Sequence, residues 1–248
     1  MEPFVSIIIP TYNEENFLPK LLHSIKKQKY RNKEVIVADA NSTDGTEAIA
    51  EAAGAKIVEG GPVAEGRNNG AKYAKGDIFL FLDADVVLPD AYFLESVIKE
   101  FERKKLGIAT CMPIPISDSK MDHAFHNFFN VYIKLLEALV PHTPGFCILV
   151  KRSVHEAING FDEEIKLAED HDYAQRAVEF SKFGILRSKK LPVSIRRFKK
   201  DGRVKVAAKY FLCELHMMML GSVKSDIFKY KFGYGKEYNQ KSIKKIKE

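Results

Sequence analysis

The chain reads as an α/β protein with a mainly parallel central sheet flanked by helices, and three observations lead there. Short apolar runs rich in Val and Ile alternate with segments of helical period through the first half of the 248 residues. That alternation is what βαβ units produce, with right-handed crossovers and strands buried on both faces. Three of the apolar runs also lead directly into polar clusters, as expected where strand ends carry a ligand site.

Each element follows from its own residues. Residues 5–9 are a continuous apolar run suited to a buried strand. Phe17, Leu18, Leu21, Leu22 and Ile25 then recur at helical spacing, giving one apolar helix face. Residues 34–38 predict a second strand, and Ser42-Thr43-Asp44-Gly45 opens a helix that ends near Gly54. A short third strand is expected over 56–58, a helix over 67–75 stopped by Gly76, and a fourth strand over 78–82. A helix over 90–104 and a strand near 107–111 complete the regular half.

The second half is less regular. Residues 121–139 have helical spacing with many aromatics, 146–150 predict a strand, and 154–158 a short helix before Gly160. Residues 172–180 predict a helix with acids at its start, and an amphipathic helix rich in Phe and Met is expected from about 205 to 220. From Lys229 the tail alternates Lys, Tyr and Gly and predicts little order.

Composition narrows the class. At 46% hydrophobic and 29% charged residues the chain is globular. No run reaches the roughly 20 apolar residues of a membrane helix, and residues 5–9 are too short and lack the basic leader of a signal peptide. Three cysteines (Cys111, Cys147, Cys213) without close spacing fit reduced thiols rather than a disulfide framework or zinc knuckle. The expected location is cytoplasmic, at most peripheral on the cytoplasmic membrane face. The net charge of +6 is uneven: residues 187–209 hold ten Lys or Arg and one acid, Asp201. Such a tract either meets an anionic partner or is simply a solvated surface.

The most informative segment is the apolar run 78–82 ending in Asp83-Ala84-Asp85. In an extended chain two carboxylates spaced i, i+2 lie on one side. Hard oxygen ligands of this kind suit Mg²⁺ or Mn²⁺ with phosphate oxygens completing the shell; a strand-end turn also favours Asp. The topology gathers this pair with Pro10-Thr11-Tyr12-Asn13-Glu14 and Asp39-Ala40-Asn41-Ser42 on one sheet edge, which favours the metal–diphosphate reading.

Taken together with Arg67-Asn68-Asn69-Gly70, Gly76-Asp77, Gly160-Phe161-Asp162 and Glu169-Asp170-His171-Asp172 with Arg176, these motifs resemble the family 2 glycosyltransferases. They occur in family order across roughly residues 4–180. The resemblance implies a GT-A, Rossmann-like fold over 1–202, with a nucleotide-binding half (1–115) and an acceptor half (116–202), followed by a basic helical extension and tail (203–248). It implies an inverting transfer of sugar from a nucleotide-diphosphate donor, UDP- or GDP-linked, to an acceptor hydroxyl on a glycan, a lipid-linked molecule or a small molecule.

The family roles map onto matching positions. Asp85 would be the direct ligand of Mn²⁺ or Mg²⁺, with Asp83 nearer the ribose or the metal's waters. Pro10, Thr11, Tyr12 and Glu14 would line the nucleoside pocket, with Asp39, Arg67, Asn68 and Ala84 also at the donor. Asp170 would be the catalytic base, while Asp172 and Arg176 read as an i, i+4 helix pair. Many relatives carry a second acid where this chain has Ala40, so the base stays open between UDP and GDP.

Other features carry weaker expectations. His123 and His126 share a helix face but have no third ligand nearby. Thr143-Pro144-Gly145 forms either an acceptor loop or a plain turn. Residues 194–202 resemble a segment that in some relatives follows the catalytic region, which implies Arg196 and Arg197 near the diphosphate. The helix over 205–220 suits either a membrane presenting a lipid-linked acceptor or a dimer interface. Two other functions fit parts of the chain. Asp83-Ala84-Asp85-Val86-Val87 formally matches a haloacid-dehalogenase-like phosphatase motif with Asp83 as nucleophile. The basic tract alone would suit a polyanion-binding module, although acids at three strand ends argue against nucleic acid.

Overall fold

Among the described residues, seven strands form one sheet in the order β3-β2-β1-β4-β6-β5-β7. They are β1 (Val5–Thr11), β2 (Lys33–Asp39), β3 (Lys56–Glu59), β4 (Ile78–Leu82), β5 (Ile108–Pro115), β6 (Cys147–Lys151) and β7 (Phe183–Val193). Only β6 runs against its neighbours, pairing antiparallel with both β4 and β5. The computed structural model describes residues 2–137 and 143–203 and, beyond these, positions 205, 206, 208, 209, 212, 213, 216 and 222–224. The tail expected from 229, and the helix expected over 205–220 apart from those positions, lie outside the described residues.

The helices are α1 (Leu18–Lys26), α2 (Thr46–Ala52), α3 (Val63–Lys72), α4 (Phe93–Arg103), α5 (Lys120–Leu136), α6 (Arg152–Ala157), α7 (Glu169–Ala177) and α8 (Arg196–Asp201). Strand side chains alternate between two cores. Ile7, Ile9, Leu80 and Leu82 pack with Leu18 and Leu21 of α1, Ala50 of α2, and Phe93, Val97 and Phe101 of α4. Ile8, Ile36, Phe79 and Phe81 pack with Ala64 and Ala71 of α3, Val154 of α6, and Tyr173 and Ala177 of α7. The result is a helix–sheet–helix sandwich, and the near-continuous apolar runs of β1 and β4 reflect burial on both faces. Gly70 lets α3 approach β1 closely, since a Cβ there would collide with Ile8 Cγ2.

The sequence anticipates β1 to β6 and α1 to α6 within a few residues, but not β7. Its alternation is interrupted: Leu186 pairs with Cys111 while Lys190 pairs with Met112, so residues 187–189 bulge from the ladder. The buried Glu100 of α4 holds that bulge by accepting the N–H groups of Arg187 (2.9 Å) and Ser188 (2.7 Å). Burial opposes ionisation of Glu100, but Lys104 and these N–H donors outweigh it and bring its pKa down to about 2. The start of the basic tract is therefore the sheet's edge strand, where exposed Lys and Arg and Pro192 guard against edge-to-edge pairing.

Candidate active site

The parallel register sets the polar clusters on one edge. Thr11 pairs with Asp39 and Asp39 with Glu59, while β4 runs parallel beside β1 and ends just before Asp83. Two loops at this edge are laced together. Thr11 Oγ1 and Ser42 Oγ each donate to Asp39 Oδ1 at 2.7 Å, and the Ser42 N–H donates to Oδ2 at 2.7 Å. Asn13, in the left-handed region at φ 54°, accepts the Thr43 N–H on Oδ1 at 2.8 Å. The Glu14 N–H donates to Thr46 Oγ1 at 2.7 Å. Pro10, half-buried between Ile9 and the buried Thr11, lies close to Gly66 of α3, and Tyr12 is half-buried beside these loops.

The Asp83-Ala84-Asp85 segment departs from the extended geometry that its spacing suggests. The chain turns after Leu82: Ala84 is buried in the α4-side core, and the two carboxylates reach different arginines. Asp83 lies 3.3 Å from Arg67 Nη2, and Asp85 Oδ2 lies 2.8 Å from Arg196 Nε. The turn is pinned to the end of β7, because the Ser194 N–H donates to Asp85 O at 3.2 Å and the Val87 N–H to Pro192 O at 3.1 Å.

Arg67 sits behind the site at 2% exposure. Its Nη1 donates to Glu169 Oε1 at 2.8 Å and its Nη2 to Gly145 O at 3.0 Å, with the guanidinium 5.2 Å from the Phe161 ring centroid. Asp170 Oδ2 accepts the Gly145 N–H, and Oδ1 accepts the His171 N–H at 2.9 Å. Gly145 thus straps Arg67 to Asp170; a Cβ there would lie 2.6 Å from Arg67 Nη2 and 3.1 Å from Asp170 Oδ2. Asn68 is committed to the Gly160-Phe161-Asp162 turn, with Nδ2 donating to Phe161 O at 2.9 Å and Oδ1 accepting the Phe161 N–H at 2.8 Å. Asp172 and Arg176 form the i, i+4 pair at 2.8 Å.

Electrostatics distinguish these acids. Burial pushes the Asp170 pKa up to about 6 with a contribution from Asp83, against Arg67 and the two N–H donors. Glu169 also lies above the usual range, through burial and then Asp170. Burial, then Asp83 and Glu14, raises Asp85 to about 6 despite Arg196. Burial pulls Arg67 down, but Glu169, Asp83 and Asp170 outweigh it, so it stays a cation.

Among the described residues no three His, Cys, Asp or Glu side chains converge as a metal cage. His123 and His126 instead contact the backbone carbonyls of Ser117 and Asp122, each at 2.8 Å. The oxygens at Asp83 and Asp85 nevertheless suit a hard divalent ion whose other ligands are diphosphate and water, and Asp85 together with Glu14 already gathers a cation, Arg196. Sequence reasoning missed the Glu14–Arg196–Asp85 contact and the Gly145 strap; it offered only the placement of Arg196 and Arg197 near the diphosphate that the resemblance implies, and a Pro-Gly turn.

A mostly parallel seven-stranded sheet with acids at its strand ends is the arrangement expected of a GT-A fold, and comparison with known proteins agrees on the fold. The "Glycosyl transferase family 2" model matches residues 6–158, more than half of the chain, and the chain belongs to that family. Membership of that family takes the place of the phosphatase reading of Asp83. The chain is 36% identical over 129 residues to 4,4'-diaponeurosporenoate glycosyltransferase of Staphylococcus haemolyticus, which covers 48% of this chain and 34% of that protein. An uncharacterized glycosyltransferase of Rickettsia typhi is 29% identical over 191 residues, covering 68% and 57% respectively. The chain thus spans a third to less than three fifths of the length of these relatives.

Among solved structures, the mannosyltransferase PcManGT from Pyrobaculum calidifontis, in complex with GDP-Man and Mn²⁺, superposes with a TM-score of 0.70 at 24% identity, covering 86% of this chain and 63% of that one. S. aureus TarS 1-349 with UDP-GlcNAc superposes at 0.65 and 21% identity, covering 88% and 67%. Among the described residues no helix is long and apolar enough to cross a membrane.

Proposed function

We propose that the chain is an inverting, metal-dependent glycosyltransferase that moves a sugar from a nucleotide-diphosphate donor to an acceptor hydroxyl, with Asp170 as general base. The observation that carries this reading is the buried Arg67, which joins the strand-end acid Asp83 to the Glu169-Asp170 pair. Two acid groups needed for different tasks, leaving-group stabilisation and proton acceptance, are thereby held around one guanidinium.

A sugar hydroxyl is almost un-ionised at neutral pH, so a carboxylate that accepts its proton helps the oxygen attack the anomeric carbon. With a pKa of about 6, Asp170 is mostly ionised at pH 7 yet basic enough for the task. Each of its oxygens accepts one backbone N–H, which fixes the carboxylate while leaving lone pairs for the hydroxyl. Attack on the face opposite the departing diphosphate inverts the anomeric centre. Asp85, with Asp83 beside it, would hold Mn²⁺ or Mg²⁺, and that ion would neutralise the charge growing on the diphosphate.

Thr11, Tyr12 and Asp39 stand at the nucleoside end of this edge. PcManGT holds a GDP-sugar and TarS a UDP-sugar, so a UDP- or GDP-linked donor is the supported class. Donor-sugar hydrolysis and transfer are expected to fall in both Asp85→Ala and Asp170→Asn. Full activity in both variants would overturn the reading.

A further inference from the structure

The guanidinium of Arg196 lies where acids from two distant parts of the chain meet. Its Nη1 and Nη2 donate to the two oxygens of Glu14 at 2.7 and 2.8 Å, and its Nε lies 2.8 Å from Asp85 Oδ2. The group is also stacked over Phe17, 4.7 Å from the ring centroid. Three directed contacts to two carboxylates plus an aromatic face fill the fork geometry that distinguishes Arg from Lys.

The segment carrying Arg196 lies outside the two main cores. The helix α8 buries none of its own residues, and Gly202 closes it at φ 85° with nothing within 4 Å of where a Cβ would stand. Phe198 leans on Phe125 and His126 of α5, and the backbone before α8 is tied to the Asp85 turn through Ser194. Displacing Arg196 from the acids therefore requires no dismantling of core.

We infer that Arg196 is the resident counter-cation of the Asp85–Glu14 acids, and that a divalent ion binds Asp85 only by displacing it, so that Arg196 sets the affinity for the metal. This rests on the proposed metal-dependent reading. Two cations compete for one carboxylate, so removing the internal one raises the apparent affinity of the external one, as for any ligand whose competent state is only partly populated. By linkage the converse also holds: the metal loosens the Arg196 segment by the same coupling free energy.

The test measures Mn²⁺ alone, without nucleotide, by calorimetry or by the electron paramagnetic resonance of free Mn²⁺. Arg196→Gln is expected to bind Mn²⁺ tighter than the unmodified chain, within the roughly 5- to 150-fold range usual for coupled sites. Arg196→Lys keeps the positive charge but loses the fork, and it is also expected to bind more tightly. A simple long-range repulsion would leave the Lys variant unchanged, and that result would overturn the proposal. Hydrogen exchange gives a second measure that needs no variant: saturating Mn²⁺ is expected to speed exchange of the amides over residues 196–202. Unchanged or slowed exchange there would count against displacement. If the unmodified chain binds Mn²⁺ with the affinity of Arg196→Gln, the latch fails while metal dependence stands. If neither binds Mn²⁺, alone or with UDP or GDP, metal dependence itself fails and the latch with it.

Discussion

Asp170 is the residue whose chemistry is most exposed to measurement. Its carboxyl is raised to about 6, chiefly by burial, so the competent, ionised form is lost as pH falls through that value. In its proposed role as base Asp170 must be deprotonated to work, and kcat/KM is therefore expected to rise with pH through a limb near 6. Asp170→Asn keeps an oxygen for the Gly145 N–H but takes no proton. Its rate should fall by about 10²- to 10⁴-fold, the usual worth of a positioned base. A rate within a few-fold of the unmodified chain would move the base role elsewhere. Arg67 obeys a different rule, because it is wholly buried between acids. Arg67→Met would leave Glu169 and Asp83 without their cation, and breaking a buried pair in this way costs about 3–5 kcal/mol. Chemical denaturation checks the figure; a loss below about 1 kcal/mol, the scale of exposed pairs, would show that Arg67 is not the keystone described.

At the scale of elements, the site depends on one residue of backbone between α5 and β6. Gly145 gives its N–H to Asp170 and its carbonyl to Arg67, and a methyl group there meets both side chains. Gly145→Ala is expected to destabilise by about 1–3 kcal/mol, the usual cost of overpacking, and to reduce transfer with it. Gly54→Ala is the natural comparison: its φ of 75° carries strain, but nothing lies within 4 Å of the added methyl. Circular dichroism melts of the two variants separate the effects, since only Gly145→Ala should lower activity per folded molecule. The elements themselves were legible where a single period sufficed. The continuous runs of β1 and β4 and the helical spacing of α1 and α4 could be read directly, because each buries a face of fixed periodicity. The strand β7 was not legible, because its bulge breaks the period and Glu100, far away in sequence, supplies the compensation.

For the whole molecule, the decisive quantity is the stability that a bound donor adds. A ligand that binds only the folded chain contributes RT ln(1 + [L]/Kd), about 2.7 kcal/mol at one hundred times Kd. UDP or GDP with Mn²⁺ is expected to raise Tm and to lose that effect in EDTA, while CDP and ADP shift it less. Equal shifts from all four, or shifts indifferent to EDTA, would remove the selective metal–diphosphate site.

The sequence by itself determined the alternation of strands and helices, the edge on which the acids gather, and the motifs of a family 2 glycosyltransferase. These are local quantities: hydrophobic period, turn residues, and short motifs whose chemistry is carried by residue type. Only the tertiary structure decided that Arg67 faces Glu169 and Asp83 rather than open solvent, that Asn68 clamps the turn at Phe161, and that Arg196 closes on Glu14, 182 positions away along the chain. No periodicity encodes such meetings. They arise because the parallel register and the crossing of β7 bring distant charges into a buried space, where each must find a partner of opposite sign.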